Sequence, residues 1–188
     1  MKKSDEKIIN AAIGMFNKNL PFTLEDVALH AGISRRTLHR HFTGKEELLA
    51  ACKKTAMASC NVAMLLAYNA NQDTIKKLKA MLFAVIDSGS NAVFIKKFYE
   101  RSSFSQAGGN NSFKGDDVKS KWFRLIQTLQ AEGTITQKLS IGWIFNLFGS
   151  IADTAILAID NGDIAQDDAR RFAWFSFSKG IELVEDSL

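Results

Sequence analysis

TLEDVALHAGISRRTLHRHFTGKEELL, residues 23–49, decides the reading of this chain. Leu24, Val27, Ala28 and Ala31 recur at helical spacing and form the buried face of a short helix. Gly32 then supplies a sharp turn, since glycine takes the left-handed backbone without steric cost. Ser34 is placed to cap the next helix through its hydroxyl, and Arg35, Arg36, Thr37, His39 and Arg40 ride on it. Leu38 and Phe42, four residues apart, are left to anchor that helix to a core. Two helices joined by a glycine-containing turn, the second short and basic, make the helix-turn-helix arrangement that reads a DNA major groove.

Upstream, Ile8, Ile9, Ala12, Ile13 and Phe16 form one apolar stripe of a helix over 4–18. Asn19 is placed as a left-handed stop, and Pro21 bars continuation. Downstream, Thr43 to Glu46 reads as a capping box, with the Thr43 hydroxyl reaching the third amide and Glu46 returning to the cap amide. The helix it opens runs to about Tyr68. Beyond Asn71, Ile75, Leu78, Leu82, Val85 and Ile86 mark a fifth helix ending near Ser88 and Gly89. Val93, Ile95, Phe98 and Tyr99 mark a shorter sixth. SQAGGNNSFKG, residues 105–115, reads as a loop. Trp122, Phe123, Ile126 and Leu129 mark a seventh helix stopped by Gly133; an eighth spans Ile141 to Ile159, and a ninth Arg170 to Val184. The expected fold is all-α, with a three-helix head over 1–50 and a helical-bundle body over 51–188.

The last two helices are apolar over more than one face: Trp143, Ile144, Phe145, Leu147, Phe148 and Ile151, then Phe172, Trp174, Phe175, Phe177 and Ile181. Such helices need cover on several sides, either at the centre of the subunit or from a second copy. We take the second reading, a homodimer with Phe145, Phe148, Ile151, Phe172, Phe175 and Ile181 at the interface.

Composition agrees with a globular protein that binds an anion. The 188 residues are 46% hydrophobic and 23% charged, with a single proline and a net charge of +4. Residues 1–60 hold ten lysines and arginines against six acids, whereas the remainder holds fourteen of each. His30, His39 and His41 also fall in the basic part. No apolar segment reaches membrane-spanning length without a charged or polar break, and MKKSDEKIIN leads into no signal-type run, so a cytoplasmic protein without a membrane partner is expected.

Little supports catalysis. There is no glycine-rich phosphate loop after a strand and no nucleophile elbow. Asp116–Asp117 and Asp167–Asp168 sit at helix starts, where they complement the dipole. His39 and His41, two apart, point to different sides of a helix, and no carboxylate or thiolate completes a metal site. Cys52 and Cys60 lie eight residues apart on one helix, too far for a disulfide within it and without zinc-site pairing; they read as inert buried thiols, with a redox sensor as the alternative. No metal, cofactor or enzymatic activity is expected.

The pattern resembles the TetR family of bacterial transcriptional regulators. IINAAIGMF at 8–16 is similar to that family's opening helix. Thr23, Val27-Ala28, Ala31-Gly32-Ile33-Ser34, Thr37-Leu38, His41-Phe42 and Lys45-Glu46-Glu47-Leu48-Leu49 fall at its spacing, and AEGTI at 131–135 adds a weaker likeness. Two positions depart: His39 stands where the family usually has tyrosine, and Arg36 where a small residue is common. Both substitutions keep or add hydrogen-bond donors, which implies an altered operator preference.

The resemblance implies a ligand-responsive regulator of transcription whose partners are a double-stranded DNA operator, a small-molecule effector and a second copy of the chain. Arg35, Arg36, Thr37 and His39 would face base edges. Thr23, Arg40 and Lys45 would hold phosphates, and His41 would pack or touch one. The effector would sit among Phe83, Phe94, Phe98, Tyr99, Phe104, Trp122, Phe123 and Trp143, an aromatic wall suited to a hydrophobic or aromatic molecule, although such residues also serve simply as core. The expected function is repression from a palindromic operator, relieved by the effector. The alternative is a helical adaptor or ligand carrier that keeps the fold without reading DNA sequence.

Overall fold

A computed structural model describes residues 3–19, 21–102 and 117–184, in which all regular structure is helical. The elements are α1 (Lys3–Asn17), α2 (Leu24–His30), α3 (Arg35–His41), α4 (Lys45–Asn69), α5 (Thr74–Asp87), α6 (Ser90–Ser102), α7 (Val118–Ala131), α8 (Ile141–Asp160) and α9 (Gln166–Gly180). The stretch expected as a loop, 105–115, lies outside the described residues.

The chain divides into two compact units, one drawn from the described residues of Met1–Cys60 and Ser90–Gly108, the other from Asn61–Gly89 and Gly109–Leu188. In the first, α1 turns Ile8, Ile9, Ala12, Ile13 and Phe16 inward against Val27, Ala28, Leu38, Phe42, Leu48, Cys52 and Ala56. Asn19 closes α1 at φ 57° and Gly32 turns the chain between α2 and α3 at φ 65°, the two left-handed positions read from sequence. Helix α6 joins this unit. Phe94 is fully buried with its ring 4.8 Å from that of Phe16, and the Asn17 side-chain amide donates to the Ser90 carbonyl at 2.8 Å.

In the second unit α8 packs on α5 and α9. Ile144, Phe148, Ala152, Ala155 and Ile156 repeat at three- and four-residue intervals and form the inward face of α8. Trp122 of α7 is 1% exposed, its ring 5.2 Å from that of Phe145 and 5.4 Å from that of Phe148. By length and composition α8 could cross a membrane, but that inward face is packed within its unit.

Helix α9 differs from its expected span. It opens at Gln166, with Asp167 and Asp168 in its first turn, and stops at Gly180. The apolar residues beyond leave the helix: Glu182 is left-handed at φ 50°, the Thr136 amide donates to the Ile181 carbonyl at 2.9 Å and the Val184 amide to the Thr134 carbonyl at 3.0 Å. Those backbone bonds hold Ile181 and Leu183 in the core without helical periodicity.

Leu38 ties the fold of the first unit to the placement of α3. Leu38→Ala is expected to lower stability by about 2–5 kcal/mol, as cavity formation in a closed core does. Arg36→Ala, on the exposed side of the same helix, should stay within about 0.5 kcal/mol of the parent. Urea unfolding followed by helicity distinguishes the two.

Candidate nucleic-acid interface

Three short helix starts set the geometry of the basic surface. At α2, the Asp26 amide donates to Thr23 Oγ1 at 3.2 Å, while the Thr23 amide and hydroxyl donate to Asp26 Oδ2 at 2.7 and 2.8 Å. This reciprocal capping box was missed from sequence, although Thr-Leu-Glu-Asp at 23–26 carries the spacing that signals it. At α3, Ser34 Oγ accepts the Thr37 amide at 3.1 Å and also bonds the Thr37 hydroxyl at 2.9 Å. At α4 the expected box is corrected by one residue. Glu47, and not Glu46, accepts both the amide and the hydroxyl of Thr43 at 2.7 Å, because the helix begins at Lys45 and leaves Thr43 outside it.

These bonds lower two carboxyl pKa values. The Thr43 hydroxyl, then its amide, holds Glu47 below its ordinary 4.5; the Thr23 amide, then its hydroxyl, holds Asp26 below 3.8. Each ionised acceptor satisfies donors that water would otherwise have to reach.

Between these caps α3 is seated by Leu38, fully buried, and by Phe42, 7% exposed, with its polar side turned out. Of the residues expected near bases, Arg35, Arg36 and His39 are exposed and Thr37 is half-buried with its hydroxyl bound to Ser34. Arg35 is not free: its Nε lies 2.8 Å from Oε1 of Glu25 and donates to His39 Nε2 at 3.4 Å. Among the described residues, Arg36 and Arg40 have no ion pair.

The residues expected at phosphates divide. Arg40 is exposed, and Thr23 is exposed with its hydroxyl inside the α2 cap. Lys45 donates to the Phe22 carbonyl at 2.7 Å, with its ammonium 4.0 Å from the Phe22 ring centroid, which fastens the start of α4 to the segment before α2. The His41 side chain is 13% exposed and its Nδ1 sits 2.6 Å from Oδ1 of Asp5, which sets it against α1.

The residues expected around an effector fall in both units. Phe94 and Phe98 belong to the core of the first, packed with Phe16, and Tyr99 is exposed there with its hydroxyl 3.6 Å from Met57 Sδ. Phe83, Trp122 and Phe123 belong to the second; Phe104 lies outside the described residues. Trp143 is 60% exposed.

The expected dimer residues divide in a similar way. Phe148 at 4% and Ile181 at 0% exposure are core of their own unit, and Phe145 is half-buried against Trp122. Phe172 and Phe175 of α9 remain 47% and 63% exposed, and Trp143 and Leu157 of α8 are also exposed. A groove of about 220 Å³ between α8 and α9 is lined by Ile151, Ala155, Ala158, Phe172 and Ala173 among others. Cys52 is buried and donates weakly to the Ile9 carbonyl at 3.8 Å; burial pushes its thiol up to about 12, so it stays protonated and unreactive.

A capped, basic helix-turn-helix head joined in one chain to an all-helical body defines the class of protein. Residues 8–52 match the family model of bacterial regulatory proteins, tetR family, and the fold is the TetR-like one that the sequence resemblance implied. The chain is similar to the TetR-like transcriptional regulator LfrR from Mycobacterium smegmatis in complex with proflavine (TM-score 0.70, 20% identity, 95% of this chain and 96% of that one). It is also similar to a gamma-butyrolactone receptor, an ArpA-like protein (0.63, 15%, 98% and 90%). A third is the fatty acid degradation regulator FadR from Bacillus halodurans (0.63, 14%, 94% and 95%). At these identities the likeness establishes the fold. No curated protein matches the chain in sequence.

Acid should loosen the head through its caps. Because the Asp26 and Glu47 pKa values are depressed on folding, their contribution is complete at neutral pH and is lost as pH falls through and below the ordinary carboxylate range. The Asp26→Asn, Glu47→Gln double variant should melt at lower temperature at pH 7 and lose less further stability on acidification. Thermal melts followed by circular dichroism at a series of pH values check both parts.

Proposed function

We propose that the chain is a homodimeric, sequence-specific DNA-binding regulator of transcription, a repressor that a small hydrophobic or aromatic effector releases from a palindromic operator. The carrying observation is α3: anchored by Leu38 and Phe42, capped by Ser34, and presenting Arg35, Arg36, His39 and Arg40 on its outer side. Arginine fits this role because its planar fork gives guanine O6 and N7 two parallel hydrogen bonds. Arg40, Lys45 and the α2 start at Thr23 are assigned to backbone phosphates, which fix register without reading sequence.

Residues 1–50 serve as the DNA-binding domain and 51–188 as the ligand-binding and dimerisation domain, in the cytoplasm. The exposed Trp143, Leu157, Phe172 and Phe175 support a second copy as the cover of α8 and α9, since large apolar groups left in water favour burial by about 1.5–3 kcal/mol each. Trp122 supports an effector site in the body: its indole N–H is buried and has no hydrogen-bond partner among the described residues. An effector with an apolar body and one acceptor atom would satisfy it. The LfrR complex with proflavine gives the fold a precedent for an aromatic ligand. Release follows if the effector binds more tightly to a body conformation in which the two heads no longer match successive major grooves.

Selection from random duplex DNA should enrich an inverted repeat with half-sites about 34–36 Å apart. Arg36→Ala and His39→Ala should relax one position of each half-site, at a cost of about 1–3 kcal/mol per base contact. Enrichment of no sequence by folded protein would reject the reading in favour of an adaptor or carrier. Separately, Phe175→Glu should turn a dimer into a monomer in sedimentation; a monomeric parent would reject the dimer.

A further inference from the structure

The α3 side chains make two contacts with acids among the described residues: His41 with Asp5, and Arg35, with His39 beside it, against Glu25. The second is placed where a carboxylate is least expected, on a surface assigned to a polyanion. Resting on that DNA-binding assignment, we propose that Glu25 is a specificity-determining positioning residue: it grips Arg35 by its Nε edge and thereby selects how the guanidinium can meet DNA.

Both ends of the contact are held by the backbone. Glu25 stands between Thr23 and Asp26, the two residues of the α2 capping box, and Arg35 is the first residue of α3, directly after its Ser34 cap. Arg35 Nε lies 2.8 Å from Glu25 Oε1, while its N–H donates to His39 Nε2 at 3.4 Å. Accepting at Nε2 puts the imidazole proton on Nδ1, which leaves His39 a donor at its other nitrogen. A guanidinium can meet guanine either through Nε and one Nη or end-on through both Nη groups. With the Nε edge occupied by the Glu25 carboxylate and its N–H given to His39, only the end-on approach keeps two parallel N–H donors for O6 and N7.

Glu25 also acts against the wrong partner. On arbitrary DNA, Arg35 would add affinity by swinging to a phosphate, and doing so means leaving a carboxylate that the same phosphate repels. On the matching base pair Arg35 keeps both contacts. In water the pair is weak, since the Arg35 side chain is 70% and that of Glu25 46% exposed. A docked duplex excludes water from it and strengthens it. The effect is discrimination through a repulsive element and not tighter binding.

The test compares the parent with Glu25→Gln, each with and without Arg35→Ala, on the selected operator and on a scrambled duplex across a salt series. Glu25→Gln should bind the scrambled duplex more tightly and reduce the operator-to-scrambled ratio by about tenfold, the order of one base contact. Its log–log salt slope on scrambled DNA should steepen by about 0.9, the signature of one added phosphate contact. With Arg35→Ala present, Glu25→Gln should change neither quantity. A merely structural role for Glu25 would lower the melting temperature and weaken both duplexes alike, without moving the slope. Ratio and slope equal to those of the parent, or the same shift in the Arg35→Ala background, would overturn the inference. A parent that prefers no sequence overturns the functional reading first, and this one with it.

Discussion

Burial of Leu38 and Phe42 is the constraint on which the geometry of the basic α3 surface depends. Helix α3 has seven residues, too few to persist in water on propensity alone. It exists because two apolar side chains one turn apart enter the core made by α1, α2 and the start of α4, each favoured by roughly 1.5–3 kcal/mol. Once they are seated, helical periodicity turns Arg35, Arg36, His39 and Arg40 away from that core. The basic surface is thus the remainder of an apolar packing problem.

The acids of this region give the same helix its precision. Of the six Asp and Glu residues in the first sixty, Asp26 and Glu47 close helix starts, Asp5 meets His41, and Glu25 meets Arg35. Four carboxylates are therefore engaged with partners inside the head, while Arg36 and Arg40 remain without ion pairs among the described residues. A net charge of +4 understates how cationic the outer side of α3 is.

In the body the apolar surplus is divided between two uses. Trp122, Phe148, Phe177 and Ile181 fill the interior, whereas Trp143, Leu157, Phe172 and Phe175 remain on the surface of α8 and α9. Helices apolar on several faces cannot reveal that division by composition. The inward set follows the contact of α8 with α5 and α9.

What could be read from sequence is local in its physics. The helix-turn-helix, the left-handed stops at Asn19 and Gly32, the Ser34 cap and the apolar stripe of α1 each depend on residues within a few positions of one another. Where reading failed, even locally, two signals competed. Glu46 and Glu47 were both available to Thr43, and the apolar run through Val184 disguised the end of α9 at Gly180. Tertiary structure alone decided the rest. His41 meets an acid thirty-six positions away, Phe94 joins the head core with Phe16, and Arg35 is held from the preceding helix by Glu25. Backbone propensity and periodicity act over one or two turns and are written along the chain. Pairing of charges and the choice between core and surface depend on which faces meet once the helices have packed.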